Sequence, residues 1–173
     1  TIGQRKGQEV AERSDCALLR AATPQDLEQL YRVEVLCFGE RHFRQDHLDW
    51  ILRNPKAMTL VEDEGAGVVG ALMLLFEGQV CRVLSVAVLP NERRRGLGRR
   101  MMIATEEISR GRGCTIIRLE VSTRNLGAIE FYRRLGYEID GVLPRYYSWG
   151  EDAYSMRKAV PLVAETTDSG LGQ

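Results

Sequence analysis

The most informative segment of the chain reads Arg93-Arg94-Arg95-Gly96-Leu97-Gly98. It follows a run typical of a β-strand, Gln79–Leu89, and it opens a helical pattern in which Met101 and Ile108 share one face. The glycines remove side chains where backbone N–H groups can close on an anion, the helix N-terminus adds unpaired donors, and the arginines add forked ones. This arrangement predicts a phosphate-binding loop, although an ordinary turn before a basic helix also fits the segment taken alone.

Hydrophobic periodicity and turn residues predict seven strands and four helices. The predicted strands are Cys16–Ala22, Ala57–Glu62, Val68–Phe76, Gln79–Leu89, Thr115–Val121, Tyr137–Leu143 and Ala153–Ala159. The predicted helices begin near Thr23, Gln45, Leu97 and Asn125 and end near Cys37, Arg53, Gly111 and Leu135. Thr23 is a candidate N-cap with Pro24 in the first turn, and Gly136 is expected to end the last helix.

The order of these elements, β-α-α-β-β-β-α-β-α-β-β, predicts one mixed α/β sheet with helices on both faces. Tight turns at Gly65–Gly67 and Glu77-Gly78 join three consecutive strands, which should therefore form an antiparallel meander. The helix that begins near Leu97 separates two strands that should run parallel, and the other pairs are expected to be antiparallel. We expect a single domain over residues 17–160, preceded by a flexible segment, 1–16, and followed by a disordered tail, 161–173.

Charge argues against two classes of protein. The chain has 173 residues, of which 24 are basic and 24 acidic, so its net charge is zero. Attachment to nucleic acid or to a membrane surface by bulk charge is therefore not expected. The charge is uneven, since residues 93–118 carry eight Arg and two Glu, a net of +6, whereas residues 24–92 carry eleven acidic and six basic residues, a net of −5. The cationic stretch suits a small polyanion, although a solvated Arg-rich helix would have the same composition.

No segment predicts a membrane span, because the longest strongly apolar run, Val68–Phe76, is much shorter than the ~20 residues that a spanning helix needs. The polar N-terminus shows no secretory signal. The four cysteines form no Cys-x-x-Cys pair, and with only two histidines they argue against a metal site. These features predict a cytoplasmic protein with reduced thiols, a disulfide being the less favoured alternative.

Several short motifs stand in one order around the arginine-glycine segment. They are Val86-Ala87-Val88, Leu119-Glu120-Val121, Asn125 and Phe131-Tyr132-x-x-Leu135-Gly136-Tyr137. With Arg93, Gly96 and Gly98 at the positions of the R/Q-x-x-G-x-G/A signature, the chain resembles the GNAT superfamily of N-acetyltransferases over residues 18–160. Within that superfamily, Leu119–Asn125, Tyr146-Tyr147 and Gly150–Tyr154 are similar to the protein N-terminal acetyltransferases, both the ribosomal-protein alanine type of bacteria and archaeal relatives.

The resemblance implies acetyl-CoA as the acyl donor and no metal. It also implies a mostly antiparallel sheet in which the parallel strands, Gln79–Leu89 and Thr115–Val121, splay apart to admit the donor. The residues implied to bind it are Val86, Ala87, Val88, Arg93, Arg94, Arg95, Gly96, Leu97, Gly98, Arg99, Asn125 and Tyr132. For Val86–Val88 a plain buried strand is compatible with this role, because the implied contacts there are made by the backbone.

The resemblance also implies two catalytic residues. Glu120 would take a proton from the attacking amine, and Tyr132 would donate one to the departing thiolate. Judged from the residues alone, Glu120 can instead be a strand carboxylate paired with Arg118 or Arg124, and Tyr132 an inward-facing helix aromatic. Arg82 stands near a position where some archaeal relatives carry histidine, and since arginine stays charged, the base role is left to Glu120.

For the acceptor, the resemblance implies the N-terminal α-amine of a protein or peptide, held by Phe38, Tyr146 and Tyr147. Ordinary aromatic packing is the alternative for these three residues. An α-amine, with a pKa of about 8, is roughly a tenth neutral at pH 7, whereas lysine, at about 10.4, is neutral in under roughly one part in a thousand, which favours the α-amine. The alternatives are a lysine or small-molecule amine acetyltransferase and a non-catalytic CoA-binding subunit. An auxiliary subunit is a further expected partner.

Overall fold

The structure, a computed structural model, describes residues 18–161. Within them the strands are β1 (Leu18–Ala21), β2 (Ala57–Asp63), β3 (Val68–Glu77), β4 (Val80–Val88), β5 (Ile116–Ser122), β6 (Glu138–Leu143) and β7 (Ala153–Ala159). The α-helices are α1 (Leu27–Phe38), α2 (Gln45–Arg53), α3 (Leu97–Gly111) and α4 (Leu126–Arg134). Every predicted element is present with small shifts at its ends, and a 3₁₀ turn, Pro24–Asp26, forms the first part of the first predicted helix. The predicted flexible segment, and all but the first residue of the predicted tail, lie outside the described residues.

The strands form one sheet in the order β1-β2-β3-β4-β5-β7-β6. β4 and β5 run parallel, and every other neighbouring pair is antiparallel. The parallel pair requires a crossover connection, which α3 provides. The predicted mixed sheet, with its antiparallel meander and one parallel pair, is therefore confirmed.

The parallel pair is joined over a short distance only. Its ladder runs from Val80 opposite Ile116 to Val83 opposite Leu119 and then ends. A β-bulge at Leu84 follows directly, because the register of β4 against β3 shifts at this residue. A bulge bends and twists a strand. Residues 84–88 of β4 and 120–122 of β5 are thus left unpaired with each other, and we call the opening between them the wedge.

The two faces of the sheet are covered by different helices. Because side chains alternate along a strand, Ala71 and Met73 of β3 pack with α1 and α2, whereas Leu72 and Leu74 pack with α3 and α4. The α3–α4 cluster continues across the parallel pair to residues of β5, such as Ile117. Among the described residues, the α1–α2 cluster includes none from β5, β6 or β7. Apolar packing therefore spans the wedge on one face of the sheet only.

An ionic network fixes the start of the first helix. Arg20 donates from Nη1 and Nη2 to the two carboxylate oxygens of Asp26, each at 2.9 Å, and from Nη2 to Asp63 at 3.0 Å. Asp26 also accepts the N–H of Thr23 at 2.8 Å, so the predicted helix start at Thr23 is confirmed. The hydrogen bonds from Arg20 outweigh the effect of burial and lower the pKa of Asp26 to about 2.

Replacing Asp26 by asparagine is expected to lower the free energy of unfolding at pH 7 by about 2 kcal/mol, because the pKa in the folded protein lies well below the unfolded value of about 3.9. Since the folded pKa is the lower one, this stabilisation is present above about pH 4 and is lost as the pH falls toward 2. Urea unfolding at pH 7 and at low pH measures the difference. Asp49→Asn, which removes an exposed partner of Arg53, is the control and should cost under about 0.5 kcal/mol. Equal losses in the two variants would contradict the ionic explanation.

Candidate active site

In the wedge, the backbone of β4 keeps one edge that no strand among residues 18–161 uses. Val86–Val88 pair with Gly70–Leu72 of β3 on one side, and on the other side the ladder to β5 has already ended. Extended backbone presents N–H and C=O groups to both sides, so the free edge can pair with an extended ligand that contains amides. The pantetheine arm of acetyl-CoA is such a ligand, and the predicted contacts to Val86, Ala87 and Val88 fit this edge.

The arginine-glycine loop places the start of α3 next to that edge. Gly96, the N-cap residue, has a φ of 76°, in the left-handed region that glycine adopts without steric cost, and Arg94 has a φ of 69°. The N–H groups of the first turn, including those of Leu97, Gly98 and Arg99, have no acceptor inside the helix. That turn contains no acidic residue. The positive end of α3 is therefore suited to a phosphate group, which supports the predicted phosphate-binding loop.

Two arginines of the loop already have partners in the protein. Nη2 of Arg95 lies 2.6 Å from Oε1 of Glu64, and its Nη1 pairs with Glu92. Arg93 donates from Nε to the carbonyl oxygen of Val88 at 3.1 Å. These contacts hold the loop against the end of β4, so a phosphate would compete with two carboxylates for Arg95. The roles of Arg93 and Arg95 as phosphate ligands stay predictions.

Glu120 lies one residue beyond the end of the parallel ladder, and its side chain is 13% exposed. Its Oε1 accepts from Nη2 of Arg82 at 2.5 Å and from Nε at 3.2 Å. The ion pair weighed as the alternative for Glu120 is thus present, but the expected partners, Arg118 and Arg124, were wrong. Arg118 pairs with Asp140 at 2.8 Å. Because both contacts from Arg82 go to Oε1, the carboxylate is held in one orientation with Oε2 left for another group.

Tyr132 lies in the last turn of α4 and packs, partly buried, against the α3–α4 cluster. The helix ends in a Schellman motif, in which Tyr137 N–H donates to the carbonyl of Tyr132 and Gly136 N–H to that of Arg133, both at 3.0 Å. Gly136 has a φ of 92°, as expected for a helix-ending glycine. Burial, with a smaller contribution from Tyr147, raises the pKa of Tyr132 to about 12. The phenol therefore keeps its proton at neutral pH and can donate it.

The loop between β6 and β7 carries Tyr146 and Tyr147, the two tyrosines predicted to hold the acceptor. The rings of Tyr146 and Tyr147 meet edge to face, with centroids 5.0 Å apart. Burial, followed by the nearby Tyr146 and Glu120, raises the pKa of Tyr147 to about 12. Burial and Glu120 also raise the pKa of Tyr146, while Arg82 lowers it. Electrostatic effects thus relate Tyr147 to both Glu120 and Tyr132, while the ring contact joins Tyr146 to Tyr147. That these four side chains form one site stays a prediction.

Two other predicted residues, Asn125 and Phe38, lie at the ends of helices. Asn125 is the N-cap of α4, and its side-chain oxygen accepts the N–H of Ala128 at 3.2 Å. Its amide NH₂ is the group left for a ligand. Phe38 is the last residue of α1 and is 39% exposed, so it is not the core residue that packing alone allowed. The roles of Asn125 and Phe38 in binding stay predictions.

Sequence reasoning missed two polar residues near the site. Glu34, on the inner side of α1, is almost fully buried and accepts from Oγ of Ser85 at 2.9 Å and from the N–H of Phe43 at 3.4 Å. Burial raises the pKa of Glu34. Its position among apolar residues at helical spacing was the available signal. The second residue, Arg41, pairs with Glu151 at 3.0 Å, and no local pattern indicates this contact.

The described part of the chain contains neither a helix that could span a membrane nor a cluster of metal-binding side chains. Over residues 18–161, no helix combines the length and the apolar character needed to cross a bilayer. Nor do His, Cys, Asp or Glu side chains in this range gather in groups of three or more that can hold a metal ion. Cys37, Cys81 and Cys114 are free thiols, while Cys16 lies outside the described range.

Comparisons with known proteins agree with this geometry. Residues 25–137 match the acetyltransferase (GNAT) family. The catalytic subunit NAA10 of the N-terminal acetyltransferase A complex from Arabidopsis thaliana is 32% identical over 146 residues, which cover 81% of this chain and 76% of the relative.

Solved structures give the same result. Ard1 from Thermoplasma volcanium is similar with a TM-score of 0.73 at 31% identity, over 83% of this chain and 97% of that one. The ribosomal-protein-S18-alanine N-acetyltransferase from Escherichia coli shares the fold, with a TM-score of 0.76 at 20% identity, over 86% of this chain and 96% of that one. The chain described here therefore belongs to the acetyltransferase (GNAT) family, as its motifs predicted.

Proposed function

We propose that this protein transfers the acetyl group of acetyl-CoA to the N-terminal α-amine of a protein or peptide, by direct attack in a ternary complex. The observation that carries the proposal is the open backbone edge of β4 in the wedge, with Glu120 one residue beyond the end of the parallel ladder. The Arabidopsis relative is named as part of an N-terminal acetyltransferase, which supports this class of acceptor. It is also named as a subunit of a complex, which supports the auxiliary subunit predicted above. That partner and the cytoplasmic location stay predictions.

Acetyl-CoA, when bound, supplies a thioester carbonyl that an amine can attack. The free edge of Val86–Val88 would pair with the amides of its pantetheine arm. The N-terminus of α3, where Gly96 leaves the backbone uncovered, would bind its pyrophosphate. A backbone N–H of Val86 or Ala87 would stabilise the negative charge that develops on the carbonyl oxygen.

The side chains of the site account for the two proton transfers. Glu120 takes a proton from the acceptor nitrogen at Oε2, directly or through water, because a protonated amine has no lone pair with which to attack. The nitrogen then bonds to the acetyl carbon and gives up a second proton to water, and the carbon–sulfur bond breaks. This second proton balances the one that the departing sulfur receives. The hydroxyl of Tyr132, which is protonated at neutral pH, donates a proton to the departing sulfur. Arg82 takes no proton in this scheme, since a guanidinium stays charged.

A peptide with a free N-terminus and one internal lysine tests the acceptor class. We expect the α-amine to be acetylated with a kcat/KM about 100-fold or more above that of the lysine, because it is neutral about 100 times more often at pH 7. Blocking the N-terminus while leaving the lysine free should remove nearly all activity. The matched control has a free N-terminus and arginine in place of lysine, and it should keep full activity. Mass spectrometry of the products locates the acetyl group.

Two other results would contradict the proposal. Acetyl groups found mainly on lysine, or on a small free amine in preference to any peptide, would favour the lysine or small-molecule alternative. Binding of acetyl-CoA without transfer to any amine would favour the non-catalytic subunit.

A further inference from the structure

Arg41 lies in the loop between α1 and α2 and contacts the loop between β6 and β7, 110 residues further along the chain. Its Nη2 lies 3.0 Å from Oε1 of Glu151, and its Nη1 donates to Oε2 at 3.2 Å. Its guanidinium carbon also lies 4.8 Å from the ring centroid of Trp149. A two-pronged carboxylate contact and an aromatic contact together fix the geometry of an arginine more firmly than an ordinary surface ion pair. We call Arg41, Trp149 and Glu151 the loop clasp.

The clasp is anchored at the end of β5, the strand that carries Glu120. Glu151, whose side chain is 10% exposed, also accepts from Oγ of Ser122 at 2.7 Å. Ser122 is the last residue of β5 and stands two positions after Glu120. The hydrogen bond from Ser122, with Arg41 among the smaller causes, lowers the pKa of Glu151. Glu151 is therefore ionised at neutral pH and pairs with Arg41 as a charged carboxylate.

The clasp also reaches the tyrosine that lies beside the catalytic candidates. The ring of Trp149 stacks on that of Tyr147, with centroids 4.6 Å apart and planes 11° from parallel. The backbone supports this stack, since Tyr147 N–H donates to the carbonyl of Glu151 at 3.2 Å and Gly150 N–H donates to that of Tyr147 at 2.9 Å. Arg41 is thus connected through Trp149 to Tyr147, which interacts with Glu120.

The clasp joins two parts of the fold that apolar packing leaves unconnected on the α1–α2 face. On the α1–α2 face, the apolar cluster under the helices includes no described residue of β5, β6 or β7. The contact between Arg41 and Glu151 therefore joins the loop after α1 to the far half of the sheet where apolar packing does not. Phe38, which precedes the first loop, and Tyr146 and Tyr147 of the second loop are the residues that the family resemblance implies for the acceptor.

We propose that Arg41 is a positioning residue for the acceptor, and this inference rests on the proposed function. Through the clasp, Arg41 holds the loop after α1 and the β6–β7 loop at a fixed separation, with Tyr147 placed to hydrogen-bond an extended peptide N-terminus beside Glu120. Arg41 touches neither acetyl-CoA nor the reacting atoms. Its loss should weaken the binding of peptide acceptors and leave the binding of acetyl-CoA unchanged.

Arg41→Met tests this, because methionine keeps an unbranched side chain and removes the charged fork. We expect KM for a peptide acceptor to rise about 3- to 30-fold, which lies within the range of coupling between contacting residues, while kcat and the Kd for acetyl-CoA change little. Arg44→Met is the matched control, because Arg44 belongs to the same loop, is 83% exposed and pairs only with nearby Asp46 in the described structure. Arg41→Lys should restore part of the loss, since it returns the charge without the fork.

A double-mutant cycle and a fluorescence measurement separate positioning from general damage. The variant with both Arg41→Met and Glu151→Gln should raise KM no further than the larger of the single effects, because both remove one contact. With Trp50→Phe as background, Trp149 is the sole tryptophan of the chain. Its emission should move to longer wavelength in Arg41→Met, as the ring loses the guanidinium that covers it.

The outcomes distinguish this inference from the proposed function. If the wild type acetylates peptides but Arg41→Met and Arg44→Met give the same KM, the inference is wrong and the proposed function stands. An emission shift without a change in KM would also overturn it, since the clasp would then join the loops without affecting the acceptor. If the wild type itself acetylates no peptide, the proposed function fails and the inference fails with it.

Discussion

Replacing Glu120 by glutamine is expected to lower kcat by about 10²- to 10⁴-fold, the contribution of a well-placed general base. Glutamine keeps the size of the side chain but cannot take the proton of the acceptor amine. Since Glu120 accepts from Arg82 rather than from the donor-binding edge, the Kd for acetyl-CoA should change little. Steady-state kinetics with a peptide acceptor, together with calorimetric titration of acetyl-CoA, measure both quantities.

Glu77→Gln is the matched control for that variant. Glu77 is the other carboxylate near Arg82, with 3.8 Å between Oε1 and Nη1, but its side chain is 53% exposed. Its replacement should leave kcat within about twofold, as is usual for an exposed surface change. Comparable losses in the two variants would show that the charge balance around Arg82 matters and that Glu120 is not the base. A near-normal kcat in Glu120→Gln alone would also contradict the assignment.

Replacing Gly98 by aspartate is expected to weaken acetyl-CoA binding by about 100-fold or more, because a carboxylate would stand where the N-terminus of α3 is expected to receive a pyrophosphate. The variant also introduces a Cβ atom, which would lie 3.3 Å from Cζ of Phe131. That contact is tight and shows that α3 and α4 approach closely at this glycine. Calorimetry on folded protein, verified by circular dichroism, measures the change in Kd.

Two further substitutions at the same position separate charge from packing. Gly98→Ala adds the Cβ alone, and Gly98→Asn adds a side chain of the size of aspartate without its charge. We expect the Kd to rise in the order alanine, asparagine, aspartate, with the largest step at the last. If asparagine and aspartate weakened binding equally, the effect would be steric, and the phosphate-binding role of this loop would lose its support.

The order of strands and helices could be read from the sequence because each signal is local. Turn glycines such as Gly78 separate runs with strand periodicity. The arginine-glycine loop predicts the start of the helix that makes the parallel crossover. The bulge at Leu84 could not be read in this way. Buried and half-buried residues alternate without interruption along β4, so the alternation does not reveal the extra residue, which appears in the register against β3. The wedge depends on that register and was expected from the family resemblance alone.

The candidate site residues also differ in whether a local sequence signal indicates them. Glu120 and Tyr132 became catalytic candidates because they stand in short motifs that the family resemblance covers, and their roles stay predictions. No motif indicated the partner of Glu120. The arginines considered for it, Arg118 and Arg124, are its neighbours in sequence. Arg82 is 38 residues from Glu120 in the sequence. The parallel ladder places Arg82 opposite Arg118, which stands two positions before Glu120, so the side chains of Arg82 and Glu120 lie on the same face of the sheet and can pair. The register between two strands that are distant in sequence is a tertiary property, and no local pattern encodes it.

The unequal covering of the wedge determines how the fold can bend. On one face, the apolar cluster under α3 and α4 crosses the parallel pair, so separating the two halves of the sheet there would expose buried hydrocarbon. On the other face, the halves meet through polar contacts such as that between Arg82 and Glu120. Bending should therefore be easiest about an axis along β4 and β5, with α3 on the hinge side and the acceptor side opening. A hinge placed there lets the acceptor side widen for a departing product while the core of the domain stays packed.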